Sequence, residues 1–172
     1  MMKAIKHLVL VALLASGALA CNEHPSAVEP IPKVSAERNG GAPTPVDPTP
    51  YVDQIISQLC GFPTEAVLGG KSKVLDLPGG RLAITSPGFD VTLTNTASGR
   101  THFFNATGVT RFSSLPNGDI EIVFTGHNLI AVEGRFLYTV GRFTEAVNPA
   151  TGATVEPLQG HGLVQDVCDL LS

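Results

Sequence analysis

From Phe89 to Asn95 the chain reads FDVTLTN, with apolar and polar residues in strict alternation. Phe89, Val91 and Leu93 fall on one side of an extended backbone, and Asp90, Thr92 and Thr94 on the other. That is the two-residue period of a half-buried strand. DIEIVFT repeats it from Asp119 to Thr125, with Ile120, Ile122 and Phe124 inward and Asp119, Glu121 and Val123 outward. Shorter runs of similar character are KVLDL, RLAIT, RTHFFNAT, GVTRFSS, HNLIAV, RFLYTVGRFTEAV and ATVEPLQG. Turn residues separate nearly all of them: Pro78-Gly79-Gly80, Ser86-Pro87-Gly88, Ala97-Ser98-Gly99, Glu133-Gly134 and Asn148-Pro149. Pro116-Asn117-Gly118 is the strongest hairpin signal, because Asn-Gly accepts positive φ. The pattern predicts about eight or nine antiparallel strands in sequence order, a meander. A meander of this length is expected to close into a small β-barrel, since closure removes exposed edges, with a β-sandwich as the alternative. Gly108, Gly126 and Gly141 lie within or beside strands, where glycine permits sharp coiling.

The period changes at both ends of this region. YVDQIISQLC spaces Val52, Ile55, Ile56 and Leu59 as a short amphipathic helix, or as an irregular leading segment, which Gly61 and Pro63 end. HGLVQDVCDLLS spaces Val164, Val167, Cys168 and Leu171 as a short C-terminal helix that should pack on the sheet. The mainly-β domain is thus expected over residues 51–172, with a short helix at each end.

Residues 1–20 have a different character. Lys3 and Lys6 precede the apolar run from Leu8 to Ala15, and small residues follow from Ser16 to Ala20. This is the pattern of a secretory signal peptide, too short for a membrane span of about 20 residues. Ala18-Leu19-Ala20 suits ordinary cleavage. Leu19-Ala20-Cys21 also resembles a lipobox, although Ala18 stands where that motif prefers leucine. More than half of the 13 prolines then fall within residues 21–50. Proline removes donors and fixes φ, so this stretch reads as a disordered tether reaching about 60–90 Å when extended.

The chain has three cysteines. An exported chain tends to pair them, and Cys60 and Cys168 flank the β-rich region. Pairing these two leaves Cys21 at the start of the tether, where a thioether lipid would use it. Plain secretion with a free thiol, or a disulfide between chains, are the alternatives.

Charge narrows the partners. There are 11 basic and 15 acidic residues, a net charge of −4. Loss of Lys3 and Lys6 with the leader takes this to −6. Neither nucleic acid nor an anionic membrane surface suits such a chain, so membrane contact is expected only through a lipid on Cys21. Candidate chemistry is sparse. His102, His127 and His161 lie on different runs with no ligand spacing, and no metal site is predicted. Ser86 precedes Pro-Gly with no nucleophile-elbow pattern and reads as a turn residue. No glycine-rich loop leads from a strand into a helix, so no cofactor is implied. Asn105-Ala106-Thr107 matches a glycosylation sequon that a bacterial-style leader makes incidental. Arg142 is the charge of most interest. If Phe136, Tyr138 and Val140 point inward, Arg142 follows them and needs an anionic partner. In the opposite register Leu137, Thr139, Gly141 and Phe143 point inward instead.

CGFP, GKSKVLDLPGGRLAITSPGFDVTLTNTASGR, GHNLI, VGRFT and GHGLVQDVCDLL, taken in order, resemble an uncharacterised family of secreted actinobacterial β-rich proteins. The resemblance covers residues 60–171. It implies export and a two-cysteine frame, and it brings no catalytic residue. The expected function is non-enzymatic binding of a small apolar molecule or an envelope component, with Phe89, Phe103, Phe124, Phe136, Tyr138 and Arg142 as candidate contacts. A barrel enzyme of the dirigent or cyclase type and a structural interaction module are the alternatives.

Overall fold

A computed structural model describes residues 41–172. The expected leader at 1–20, Cys21 and the expected tether as far as residue 40 lie outside the described residues.

Eleven strands and two helices make up the described chain: β1 (Thr44–Pro45), β2 (Tyr51–Val52), α1 (Gln54–Cys60), β3 (Thr64–Gly69), β4 (Lys71–Leu77), β5 (Arg81–Thr85), β6 (Asp90–Asn95), β7 (Arg100–Asn105), β8 (Gly108–Ser114), β9 (Ile120–Val132), β10 (Arg135–Val147), β11 (Thr154–Asp166) and α2 (Val167–Leu171). They form two antiparallel sheets. The large one runs β1-β4-β5-β8-β9-β10-β11, and the small one β2-β3-β6-β7.

The single meander expected from the turns is therefore corrected. Chain order is broken after β5, where Ser86-Pro87-Gly88 carries the β6–β7 hairpin away to pair with β3. β8 returns beside β5, with Thr85 opposite Val109. Closure is not made among the described residues: β1 and β11 stand at the two ends of the large sheet. The ordered chain also starts before residue 51. Thr44 and Pro45 pair with Ser72 and Lys71, so the end of the expected tether is part of the sheet.

The three 13-residue strands β9, β10 and β11 are crossed by a rank of glycines. Gly108 stands opposite Gly126, Gly126 opposite Gly141, and Gly141 opposite Gly162. The spacing leaves no room for a side chain. A Cβ at Gly108 would meet the His127 carbonyl oxygen, one at Gly141 that of His161, and one at Gly162 that of Val140. Gly126, Gly141 and Gly162 also have φ of +87°, +144° and +141°, which L-residues avoid.

At this rank the long hairpin bends. Phe124, Ile130, Val132, Leu137 and Phe143 share one buried cluster, joined by Ile122 and Leu158. Phe124 and Ile130 lie on opposite sides of Gly126, and would be about 20 Å apart on a straight strand. Glu145 near the end of β10 also feels the charge of Glu133 at the hairpin tip. The other face of the hairpin's outer half carries Leu129, Phe136 and Tyr138 into a second cluster. There they pack with Val91 and Leu93 of β6, Phe104 of β7, Ile56 of α1, and Val167 and Leu171 of α2. Both registers foreseen for residues 135–144 are thus used, one per core.

The helices are short and well capped. Asp53 accepts from the Ile56 N–H at 2.9 Å, and Asp166 from the Cys168 N–H at 2.9 Å. Gly61 closes α1 by donating to the Ser57 carbonyl at 3.0 Å. Ile55 and Val52 are exposed, so only Ile56 of the expected apolar face is buried. Val164 belongs to β11 and not to the C-terminal helix. Cys60 and Cys168 form a disulfide across a separation of 108 residues, joining α1 to α2 as expected. Asn95 adds a polar tie: its buried amide donates to the Leu171 carbonyl at 3.0 Å.

Two stability outcomes are expected. Replacing both Cys60 and Cys168 with serine should cost about 2–5 kcal/mol in urea unfolding. Gly152→Ala, in an open turn with φ +70°, should cost about 1–2 kcal/mol. Gly141, at φ +144°, lies outside the left-handed helical region, so Gly141→Ala meets a larger torsional penalty plus a backbone clash and should cost at least about twice as much. Equal losses at Gly141 and Gly152 would mean the rank is not tightly packed.

Candidate functional site

Directly opposed residues of antiparallel strands project to the same side, so a cross-strand rank defines one face. Next to the glycine rank runs another, built from Lys73, Thr85, Val109, Thr125, Arg142 and His161 on six adjacent strands of the large sheet. Over its middle lies a groove of about 430 Å³, a size that suits a small molecule. Thr85, Val109 and Thr125 supply the sheet residues, and Ser86, Pro87 and Thr107 come from the two connections between the sheets. Gly108 and Gly126 complete the lining. The walls are largely apolar, and the polar side chains among them are hydroxyls. No titratable side chain lines the groove.

The register explains why these residues meet. The β5–β6 and β7–β8 connections leave and rejoin the large sheet at neighbouring points, and the Ser86 N–H donates to the Gly108 carbonyl at 3.1 Å. The Thr125 hydroxyl is buried and has no hydrogen-bond partner among the described residues. Arg142 stands opposite Thr125 on one side and opposite His161 on the other. It is exposed and forms no ion pair among the described residues.

A second polar feature lies on the same hairpin. His127 Nδ1 and the Tyr138 hydroxyl are 2.6 Å apart in a hydrogen bond. The Tyr138 ring packs on Phe104 at 5.3 Å, and Phe104 on His102 at 4.5 Å. Burial raises the Tyr138 phenol above its ordinary value, so it stays protonated as a hydrogen-bonding group.

The six residues expected to share a ligand contact are not brought together. Phe89, Phe136 and Tyr138 belong to the cluster between the small sheet and the hairpin, and Phe124 to the other cluster. Phe103 lies on β7 with 61% of its surface exposed. Arg142 alone borders the groove. Sequence reading passed over Thr85, Thr107 and Thr125, because their proximity depends on register between strands distant in the chain. His102, His127 and His161 sit on β7, β9 and β11. Among the described residues no group of three or more His, Cys, Asp or Glu side chains is placed to hold a metal.

Comparison with known proteins finds no matching family model, no similar curated protein and no similar solved structure.

Glu145 is a further residue that sequence reading missed. It lies in β10 beside a register shift against β11, only 5% exposed. Burial raises its carboxyl above the ordinary 4.5, and the Glu133 charge adds to the shift. The folded state therefore holds this proton more tightly than the unfolded chain. Stability from this group is intact below the unfolded value and falls as pH rises through the folded one. Glu145→Gln should raise the Tm at pH 7 and leave it unchanged near pH 4, as read by thermal unfolding monitored by circular dichroism. A variant less stable than the parent at pH 7 would show that the carboxylate has a stabilising partner.

Proposed function

We propose that the protein is an exported, non-enzymatic binding module, tethered to the cell surface through Cys21, whose groove takes a small apolar molecule. The groove's lining carries the proposal: apolar walls with hydroxyls and no acid, base or thiol. Such a site offers shape and burial to a ligand, and its hydroxyls have no acid or base in the lining to activate them. The dirigent- or cyclase-like alternative needs a charged residue buried against the ligand, and Arg142, which borders the groove, is exposed. The Cys60–Cys168 disulfide is compatible with export. Among the described residues no helix is long and apolar enough to cross a membrane. The proposed anchor is a lipid on Cys21. The proline-rich segment before residue 41 would then hold the domain clear of the bilayer.

The absence of tryptophan makes the test direct. Val109→Trp places an indole in the groove, both filling it and providing a unique fluorophore. A neutral naphthylamine dye should bind the parent protein, and binding should weaken at least about tenfold in Val109→Trp, with far-UV circular dichroism and the disulfide mass unchanged. Intact mass of protein from its own host should also show a lipid adduct on Cys21. Dye binding that is equal in both proteins would remove the groove as the site.

A further inference from the structure

We infer that the groove's ligand is an amphipathic anion, its apolar body over Val109 and Pro87 and its charged head held by Arg142. This rests on the groove being the binding site and adds the chemical class of what fills it.

Three observations point the same way. The first is position. Arg142 stands directly opposite Thr125, a groove-lining residue, so the two Cβ atoms are about 5 Å apart on one face. An arginine side chain extends further than that, so its guanidinium is long enough to swing over the groove from beside Thr125. The second is lack of a partner. Arg142 makes no ion pair among the described residues, and Thr125 beside it buries a hydroxyl without a partner. A head group at this point would supply the guanidinium with acceptor oxygens.

The third is local charge. Acids outnumber bases by 15 to 11 along the chain. The rank through the groove reverses that balance, with Lys73 at one end, Arg142 towards the other, and no carboxylate in it. Glu145, the acid nearest to Arg142 along β10, has the opposite strand parity and projects to the other face, into the bend. Glu121 and Glu156 stand opposite Ala146, four residues further along β10. A guanidinium pairs with a carboxylate or a phosphate monoester through the same two-pronged geometry. The head group is therefore defined as a compact oxyanion, and its kind is a matter for measurement.

Displacement of the neutral dye by decanoate, decyl phosphate and decanol tests this in the parent protein, in Arg142→Gln and in Arg100→Gln. Arg100 is an exposed arginine on the small sheet and serves as the charge control. The parent should prefer at least one of the two anions over decanol by about tenfold, and the relative strength of the two names the head group. Arg142→Gln should lose that preference and keep its affinity for decanol. Arg100→Gln should behave as the parent. Equal affinity for anion and alcohol in the parent would overturn the inference and leave the groove intact. A preference that survives in Arg142→Gln, or is lost in Arg100→Gln, would overturn it equally. Failure of all three compounds to displace the dye would overturn the groove reading itself.

Discussion

The glycine rank across β8, β9, β10 and β11 is the constraint on which the other features depend. Four residues in register lack side chains because the neighbouring carbonyls occupy the space. Their absence lets a 13-residue hairpin bend without losing its ladder, since pairing continues through Gly126 and Gly141. A straight hairpin of that length would expose one of its two apolar faces to water. The bend gives each face a core of its own. One closes on itself around Phe124, Leu137 and Phe143, and the other lies over the small sheet. The rank also fixes the groove, whose lining includes Gly108 and Gly126.

The disulfide serves the second of these cores. α1 and α2 are too short to be stable alone, since isolated helices need about 12–15 residues. Their burial depends on being held against Phe104 and Phe136. The covalent bond joins them directly, while Asp53, Asp166 and Asn95 satisfy backbone groups at their ends and at the β6 turn. The two edges of the large sheet are managed differently. At one edge lies the two-residue β1, which contains Pro45 and lies between Pro43 and Pro48, each of which lacks a donor. At the other, β11 is long and mostly exposed, and it is distorted by Pro157, the register shifts opposite Thr144–Val147, and Gly160 and Gly162.

Local features of this fold could be read from the sequence, and distant ones could not. FDVTLTN became β6 with Val91 and Leu93 buried, and every turn foreseen between Leu77 and Thr154 separates two strands or the two halves of a hairpin. The exception lies in continuity. DIEIVFT and HNLIAV are one strand, because Gly126 looks like a break in a pattern yet serves as a bend in a ladder. β11 was cut short for the same reason, its Gly160 and Gly162 concealing a strand whose last residues have helical spacing. β3 escaped notice because its inward residues, Thr64 and Ala66, carry little hydrophobic signal. Division into two sheets followed from pairings of β3 with β6 and β5 with β8, and no local period encodes those. The ambiguity at residues 135–144 was real, since that strand is buried on both faces.

The same distinction applies to the site. Aromatic residues stand out as ligand contacts because they are large and alternate cleanly, but those properties are what a core requires, and four of the five serve one. Groove residues must instead be small enough to leave space. Thr85, Val109 and Thr125 are short side chains on adjacent strands, and each alone would pass for an ordinary strand residue. Their neighbour Arg142 stands out because no carboxylate was placed to neutralise it on that face. A cation kept unpaired in an acidic chain costs little in water, where exposed ion pairs contribute about 0–1 kcal/mol. Its interaction gains strength only when a ligand excludes that water, so the fold can leave Arg142 free at almost no loss of stability.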